Sequence, residues 1–362
     1  MRYSLSQLPV NTDLETKVVL KKLVRANKAL AELKGIVATI PNEGILINTL
    51  TLQEAKDSSA IENIITTQDE LFQSDTASQT FTTGAAKEVY AYANALSHGF
   101  AQVKEQRLLT NNHILEIQAI LEENSAGFRK LPGTALKNDA TGEVIYNPPQ
   151  DATEIVSLMS SLERFINDDT LCDWDPLTKM AVIHHQFESI HPFYDGNGRT
   201  GRIINVLYLV KERLLDIPVL YLSRYINQNK DEYYRLLQAI RENNHWEDWL
   251  LFMLDGVEET SQQTVILVKQ IKALMLSMKQ RMRSELPKVY SQDLLNNLFR
   301  HPYTKIDFIV EELQVTRPTA TKYLDELVNI GILQKHKVSR ERLYLNHALY
   351  DLLSNASNQP IK

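Results

Sequence analysis

Apolar residues recur at helical spacing along most of this 362-residue chain, and this periodicity predicts a mainly α-helical fold. The first stripe of such residues contains Val18, Leu20, Leu23, Ala26, Leu30 and Leu33. We expect Gly35 to end this helix, because glycine readily adopts the conformation that follows a helix. A second helix is expected to open at Thr51, since the segment TLQE has the form of a capping box between Thr51 and Glu54.

Further helices are expected on the same grounds. They cover about 84–105, 110–122, 151–167, a segment that starts at Asp175-Pro176, 229–243 and 246–285. Asp175 is of the residue type that caps helices, and Pro176 suits the first helical position. The segment RIINVLYLV is apolar on nearly all sides, which predicts a helix at the centre of the fold.

Charge and composition limit the classes of partner. A net charge of -6 excludes a global basic field, so any nucleic-acid binding has to be local. The single cysteine, Cys172, cannot form an intramolecular disulfide, which favours a reducing compartment. The N-terminal sequence lacks a signal pattern, and no apolar run approaches the roughly 20 residues that span a bilayer. We therefore expect a cytoplasmic protein of two or three domains that does not enter a membrane.

Turn-forming residues dominate between Gly127 and Gln150. This segment includes a short β-like stretch, EVIY, which two prolines soon follow. The pattern predicts a β-hairpin or flap.

Residues 288–350 have a pattern of their own. The segment TKIDFIVEELQVTRPTATKYLDELVNIGIL indicates two short helices joined by a tight turn, and Thr304 and Thr316 are expected to cap them. Pro318 falls in a first turn, and Gly331 is expected as a stop. The next segment, QKHKVSRERLYL, alternates as a small β-wing does. A helix-turn-helix followed by a wing is a shape that binds nucleic acids.

The charge of this winged region leaves its partner open. Its basic residues are Arg317, Lys322, Lys335, Lys337, Arg340 and Arg342, and its acids are Asp325, Glu326 and Glu341. Six minus three gives a local charge of +3, which supports DNA binding. The alternative is a module for protein contact or dimerisation, and together with the long preceding helix it allows a homodimer.

The segment HPFYDGNGRTGR, from His191 to Arg202, carries the candidate chemistry. Its glycines let the backbone approach a phosphate at the start of a helix, where unpaired N–H groups attract anions. Arg199 and Arg202 lie three residues apart and can clamp further phosphates. Asp195 would repel those phosphates unless a hard cation bridges them, which implies Mg²⁺. A neutral His191 suits removal of a proton from a hydroxyl group.

This set predicts phosphoryl or nucleotidyl transfer to an alcohol, with Asn197 donating to a phosphate oxygen. One alternative is a glycine-rich turn whose arginines pair with acids and whose histidine is structural. Another alternative is a zinc site that includes His184 and Glu188, which lie four residues apart. Their pattern is not H-E-x-x-H, so we expect these two residues to orient the loop from behind instead.

On these residues the chain resembles the Fic-domain family. His191 to Arg202 match every fixed position of the family motif H-x-F-x-D/E-G-N-G-R-x-x-R. The segment GFRK and the hairpin ending in NPP resemble the family's target-positioning flap, and YLSRYINQNKDEYY resembles the segment that helps to hold adenine.

The resemblance implies a Fic helical core with a small β-hairpin flap and a C-terminal winged helix-turn-helix domain. The implied domains are 1–105, an N-terminal helical arm with an inhibitory helix at about 51–63; 106–255, the catalytic core; 256–287, a connecting helix; and 288–362, the winged-helix domain.

The resemblance also implies protein adenylylation, in which AMP moves from ATP to a serine, threonine or tyrosine hydroxyl of a protein, including the enzyme itself. His191 would be the base, Asp195 the Mg²⁺ ligand and Phe193 the anchor of the loop. The implied nucleotide-binding residues are Gly196, Asn197, Gly198, Arg199, Thr200, Gly201, Arg202, Asn229 and Tyr233. Ile145 and Tyr146 in the flap would position the backbone of the target protein as an added strand.

A second motif, SSAIEN from Ser58 to Asn63, fits the family's inhibitory pattern Ser/Thr-x-x-x-Glu-Gly/Asn. Ser58 and Glu62 lie four residues apart and therefore share one face of a helix. The resemblance implies that Glu62 pairs with Arg202, so that ATP binds with its α-phosphate misaligned. The alternative is an ordinary surface pair on a helix.

Two other functions stay open at this point. A Fic enzyme can use another donor or can remove AMP with the inhibitory glutamate. The winged domain also allows a DNA-binding regulator in which the Fic core acts as a sensor. The sequence does not identify the protein that is modified.

Overall fold

The computed structural model describes residue 5 and residues 7–74, 81–137, 141–338 and 341–358. Within these ranges the chain is mainly helical, as predicted. The helices are α1 (Lys17–Val37), α2 (Glu43–Ile61), α3 (Gln68–Gln73), α4 (Gly84–Gln106), α5 (Asn111–Glu122), α6 (Ala152–Asn167), α7 (Pro176–Ile190), α8 (Asn197–Lys211), α9 (Leu222–Gln228), α10 (Lys230–Asn243), α11 (Trp246–Glu285), α12 (Gln292–Arg300), α13 (Ile306–Leu313), α14 (Arg317–Asn329) and α15 (His347–Asn358). The strands are β1 (Leu136–Lys137), β2 (Val144–Tyr146), β3 (Tyr303–Thr304), β4 (Gln334–Val338) and β5 (Glu341–Leu345).

The first helix packs along the long helix α11, and Leu23, Ala26, Leu30 and Leu33 of the predicted stripe are buried. Val18 and Leu20 were wrongly placed in the stripe, because they are 53% and 48% exposed. Gly35 was wrongly expected to end α1, because the helix continues to Val37 with Gly35 inside it. Thr16 caps the other end through its side chain, which accepts a hydrogen bond from the Val19 amide.

Helix α2 begins eight residues earlier than the sequence analysis predicted. The Asn42 side chain accepts the Gly44 amide at 2.9 Å and is the N-cap, so the capping box expected at Thr51 is wrong. Thr51 instead lies inside the helix and is 2% exposed. A capping box does form at Thr67 and Glu70, ahead of the short helix α3, which was not predicted.

The centre of the fold is the pair α7 and α8. Asp175 caps α7 and Pro176 occupies its first turn, as expected, and every residue from Leu177 to Ile190 is buried. Helix α8 is buried from Arg199 to Val210, which confirms the central helix predicted from RIINVLYLV. The loop between α7 and α8 holds the glycine-rich motif, so the motif rests on the most buried part of the molecule.

The predicted flap is a two-stranded antiparallel hairpin of β1 and β2. Leu136 pairs with Tyr146, and Lys137 pairs with Val144 across an irregular register. Residues 138–140 of the connecting turn lie outside the described residues.

The C-terminal region is a helix-turn-helix with a wing, in which the strands have the order β3-β5-β4. Thr316 caps α14 as predicted, and Gly331 follows the helix with a φ of +71°. The cap expected at Thr304 is wrong, because Thr304 lies in β3 and its hydroxyl donates to Asn297 at 2.7 Å. Helices α9, α12 and α15 were not predicted.

The winged region packs against the helix that carries the SSAIEN motif. Helix α12 contacts α2, and the Tyr303 hydroxyl donates to Asp69 of α3 at 3.1 Å. None of the helices in the described part of the chain combines the length and the apolar character needed to cross a bilayer.

Candidate active site

A cavity of about 1040 Å³ opens between the flap, the end of α2, the start of α8 and one face of α10. Six residues predicted for the site line it, namely Glu62, Ile145, His191, Gly198, Arg202 and Tyr233. The fold therefore brings residues that lie up to 171 positions apart (62 to 233) into one space.

His191 ends α7 in a left-handed conformation, with a φ of 49°. Arg129 holds the backbone of His191, because its Nε donates to the His191 carbonyl at 2.8 Å. The same guanidinium donates to the carbonyls of Pro149 and Ile190 and is 1% exposed. Arg129 thus connects the flap to His191 through hydrogen bonds, a role that no sequence pattern predicted.

The environment of His191 keeps its imidazole neutral. Burial, together with the nearby charges of Arg129 and Arg241, lowers the pKa of His191 to about 4. Near pH 7 the ring therefore carries one unprotonated nitrogen, which is the form that can accept a proton.

The turn after His191 is anchored by Phe193 and Asn197. Phe193 is fully buried, with its ring centroid 5.3 Å from that of Phe128. The Asn197 side chain accepts the Phe193 amide at 2.8 Å and donates to the Phe193 carbonyl at 2.9 Å. The side chain of Asn197 is thus committed to the loop, and what it can offer a phosphate is its backbone N–H.

Helix α8 starts at Asn197 without a side-chain cap, and Gly196 precedes it with a φ of +75°. An uncapped helix start presents backbone N–H groups and a partial positive charge, which suit an anion. A Cβ at Gly196 would collide with the Glu122 carboxylate, and a Cβ at Gly198 would collide with that of Glu62. Both positions need glycine in this arrangement.

Arg202 is enclosed by the SSAIEN motif. It donates to the Ser58 hydroxyl at 2.7 Å, to the Ser58 carbonyl at 3.0 Å and to Glu62 at 2.7 Å. Arg202 is 2% exposed, so this is a buried charge with its partners in place. Burial favours neutral Glu62, but Arg202 outweighs that effect and holds the pKa of Glu62 below its usual range.

Arg199 points away from Arg202 and lies outside the cavity lining. It donates to Glu88 at 3.0 Å and to Glu122 at 2.8 Å. Thr200 and Gly201, also predicted at the nucleotide, are buried in α8. Gly201 packs against Glu188 and Phe187 of α7, which is a structural contact.

Asp195 is exposed beside the turn, and its Oδ1 accepts the Gly196 amide at 2.7 Å. This carboxylate is available at the mouth of the turn. Among the described residues, no group of three or more histidine, cysteine or acidic side chains is arranged to hold a metal ion. A cation here would need further oxygen ligands, such as those of phosphate or water.

The two residues expected near adenine differ in placement. Tyr233 lines the cavity but is 1% exposed, and its hydroxyl is 2.7 Å from His184 Nε2. Asn229 lies at the junction of α9 and α10, where its side chain donates to the Tyr225 carbonyl at 2.9 Å. The Tyr233 hydroxyl and the Asn229 amide N–H therefore already form hydrogen bonds within the protein.

His184 contacts α8 and α10 rather than the loop, and the Glu188 carboxylate lies against Gly201 of α8. His184 Nδ1 is 3.0 Å from the Asn205 amide nitrogen, and its Nε2 contacts Tyr233. With both ring nitrogens engaged, His184 has none left for zinc. Burial lowers the pKa of His184 to about 3 and raises the pKa of Glu188 to about 7.

The two flap residues have different orientations. Tyr146 is buried, and its hydroxyl donates to the Ser189 carbonyl at 2.9 Å while Arg241 lies 4.0 Å above its ring. Ile145 is 46% exposed and lines the cavity. Tyr146 therefore anchors the hairpin, and Ile145 is the flap side chain that faces the cavity.

Three sequence-family models match most of the chain. Residues 20–101 match the Fic/DOC family N-terminal region, and residues 108–209 match the Fic/DOC family. Residues 274–349 match the model described as protein adenylyltransferase SoFic-like, C-terminal domain.

Curated relatives share a shorter stretch. The proteins named protein adenylyltransferase Fic from Drosophila erecta and Drosophila melanogaster are each 28% identical over 112 residues, which cover 31% of this chain and 21% of each relative. The match therefore spans about a fifth of the length of these relatives.

Solved structures resemble the fold over a longer span. A Fic family protein from Desulfovibrio desulfuricans G20 has a TM-score of 0.57 at 18% identity and covers 94% of this chain and 98% of its own. A Fic domain containing signaling protein from Bacteroides thetaiotaomicron has a TM-score of 0.53 at 19% identity and covers 68% of this chain and 98% of its own. At these identities the likeness concerns the fold.

Proposed function

The chain is a Fic-domain protein, and from that premise we propose that it is an auto-inhibited protein adenylyltransferase. It transfers AMP from ATP to a hydroxyl group of a protein, and Glu62 restrains the transfer. One observation carries the proposal: a neutral His191, the glycine turn and Arg202 line one cavity, where Glu62 forms an ion pair with Arg202.

Each side chain has a role that its contacts support. The N–H groups at the start of α8 bind phosphate oxygens, and Arg202 binds the γ-phosphate once Glu62 leaves it. His191 accepts the proton of the attacking hydroxyl, and pyrophosphate leaves as the oxygen binds the α-phosphorus. Arg129 and Phe193 fix the position of the histidine and the turn.

Mg²⁺ fits the residues at the mouth of the turn. Magnesium is commonly held by one or two carboxylates together with substrate phosphates and water, and Asp195 supplies one exposed carboxylate here. The bound ion would neutralise phosphate charge during the transfer.

The restraint follows from the position of Glu62. Its carboxylate lies against Gly198 and pairs with Arg202. It therefore fills space that a triphosphate needs and neutralises the arginine that would bind it. An ATP molecule bound beside it would hold its α-phosphate out of line. A misplacement of about 1 Å can reduce a rate on the order of 100-fold.

The target protein enters over the flap. The hairpin of β1 and β2 presents exposed backbone edges, and Ile145 faces the cavity beside His191. An extended segment of the target would pair with this edge and place its hydroxyl near the imidazole.

Labelled ATP tests the proposed activity. With α-labelled ATP and magnesium, Glu62→Gly should increase incorporation of label into protein by at least ~10-fold, since the restraint operates through misalignment. His191→Ala in the Glu62→Gly background should abolish it. Mass spectrometry of the product distinguishes AMP from another transferred group.

A matched control is Glu285→Gly, which removes a glutamate from the last turn of α11, where it pairs with Arg281. It should leave incorporation at the wild-type level. Equal incorporation by wild type and Glu62→Gly would refute the restraint, and full incorporation by the His191→Ala variant would refute the role of the base.

The structure favours this function over DNA-binding regulation. Three of the basic residues expected to contact DNA pair with acids instead: Arg317 with Asp307, Lys322 with Glu326 and Lys335 with Asp325. The side chains of Lys337 and Arg340 lie outside the described residues. Asp307 was not included in the local charge of +3, so its pairing with Arg317 reduces the positive field on which DNA binding depends.

A further inference from the structure

Both arginines of the motif are held by carboxylates, but from different parts of the chain. Arg202 pairs with Glu62 of the inhibitory motif, which the sequence pattern indicates. Arg199 pairs with Glu122 at the end of α5 and with Glu88 in α4, which no motif indicates. Arg199 is 6% exposed in its side chain, so these two glutamates account for its charge.

We propose that Glu122 is a second restraint on the nucleotide site, which holds Arg199 away from the phosphates until ATP displaces it. This inference rests on the proposed function, since it concerns the same nucleotide. It adds a control point that lies outside the helix carrying Glu62, in an element of the catalytic core.

The contacts of Glu122 place it at the phosphate turn. Its carboxylate oxygen lies so close to Gly196 that a Cβ there could not fit. Glu62 has the same relation to Gly198, two residues later. The glycine turn is thus flanked by two carboxylates, and each of them also pairs with one arginine of the motif.

The charges around Glu122 show why it can be displaced. Burial raises the pKa of Glu122 even though Arg199 lies beside it, and nearby Asp195 and Glu88 add to the rise. The pKa of Glu62 is lowered in its own pair. The Glu122 carboxylate is therefore less well stabilised where it lies, and a triphosphate with its cation offers Arg199 a stronger partner.

Binding of a non-hydrolysable ATP analogue tests this restraint without requiring catalysis. Isothermal titration calorimetry would compare Glu62→Gly with Glu62→Gly/Glu122→Gln in the full chain with magnesium. We expect the double variant to bind the analogue about 5-fold or more tightly, the lower range of coupling between two sites. The affinity for AMP should stay unchanged, because AMP lacks the phosphates that Arg199 would contact.

A reversal experiment and a matched control accompany the measurement. Adding Arg199→Ala to the double variant should remove the gain in analogue affinity. Glu116→Gln lies on the same helix α5 but pairs with His98 on an exposed face, and it should leave both affinities unchanged. If Glu122→Gln lowers the melting temperature, Glu88→Gln is the second variant, because it removes the other carboxylate that holds Arg199 and the Glu88 side chain is 49% exposed.

The outcomes separate this inference from the proposed function. Equal or weaker analogue binding by the double variant, or an equal gain for AMP, would overturn the second restraint while leaving the proposed function intact. Failure of both variants to bind the analogue at all would overturn the two together.

Discussion

At the scale of single residues, the chemistry of the site depends on buried groups whose neighbours decide their charge. His191 stays neutral because it is buried beside two arginines. Arg202 is buried with its counter-charge, Glu62, and we propose that this pairing keeps Arg202 from a nucleotide. Desolvation thus keeps His191 neutral, whereas the attraction between Arg202 and Glu62 keeps that pair charged in spite of desolvation.

The acid side of the pH profile should reflect the buried histidine. For the Glu62→Gly variant we expect kcat/KM for ATP, with magnesium in excess, to hold from pH 8 to pH 6 and to fall only below about pH 5. The pKa of His191 in the folded protein is about 4, so the unprotonated ring persists well below pH 6.5, the ordinary pKa of histidine. Loss of Glu62 removes a negative charge that raises this pKa.

Glu188 provides the control for that profile. It lines the same cavity, and burial raises its pKa to about 7. If the profile of Glu62→Gly/Glu188→Gln coincides with that of Glu62→Gly, the acid limb belongs to His191. An acid limb near pH 6.5 that Glu188→Gln does not move would contradict the neutral, buried base.

Sequence spacing could identify those residues of the site that lie close together in the chain. His191 and Arg202 belong to one segment, and Ser58 and Glu62 are separated by a single helical turn. The partners of these residues were harder to predict. Arg129 and Glu122 reach the site from other elements, and their contacts depend on how those elements pack.

At the scale of elements, α2 connects the restraint to the rest of the molecule. It begins at Asn42, ends next to Glu62 and packs on α4 and α9 along its length. Glu54, one turn before Ser58, accepts hydrogen bonds from the Ser223 amide and hydroxyl at the start of α9. The position of Glu62 therefore depends on a helix that is fixed at several points.

The true start of α2 can be tested by its cap. Asn42→Ala should lower the free energy of unfolding by about 1 kcal/mol, the usual cost of losing a side-chain cap. Asn48→Ala, an exposed position inside the same helix, should have little effect or a slight stabilising one. Urea unfolding followed by circular dichroism measures both, and equal effects would mean that Asn42 does not cap the helix.

The local sequence pattern predicts the wrong start for α2, because a segment with the form of an N-cap lies inside the helix. The TLQE segment has the form of a cap, but Thr51 is buried against the core and its backbone continues the helix. Packing against neighbouring helices outweighs such a local preference. The strands of the flap and wing were predictable, since turn residues bound them on both sides.

At the scale of the whole molecule, long-range contacts join the first helices of the chain to its C-terminal part. Helix α1 packs along α11, the 40-residue helix that leads to the winged domain. The winged domain in turn packs against α2 and α3 through α12 and Tyr303. The winged domain thus lies against the helix that ends at Glu62, and α1 lies along the helix that leads to the winged domain.

The contact of α1 with α11 includes a buried cation. Lys22 is 5% exposed and pairs with Asp255 and Glu258. Lys22→Met should lower the free energy of unfolding by about 3 kcal/mol, because it removes the buried cation that both carboxylates share and leaves Glu258 with the more distant Arg25, at 3.6 Å. Lys21→Met, on the exposed face of the same helix, is the control and should change it by less than about 0.5 kcal/mol. Equal urea midpoints for the two variants would contradict the importance of this contact.

Sequence reasoning could predict the helical class, the flap and the winged domain, because each depends on local periodicity. It could not predict that the winged domain lies against α2 and α3. The contact with α3 joins Asp69 to Tyr303 across 234 positions, and no local pattern contains both.

The central claim is that the turn after Phe193 holds a triphosphate when Glu62 is absent. The most direct measurement is a crystal structure of the Glu62→Gly/His191→Ala variant with ATP and magnesium, in which the bound nucleotide cannot react. We predict that the γ-phosphate contacts Arg202, that the N–H groups at the start of α8 contact the phosphates and that the α-phosphate faces position 191. A turn that is empty, or one whose N–H groups point away from the bound nucleotide, would contradict the account.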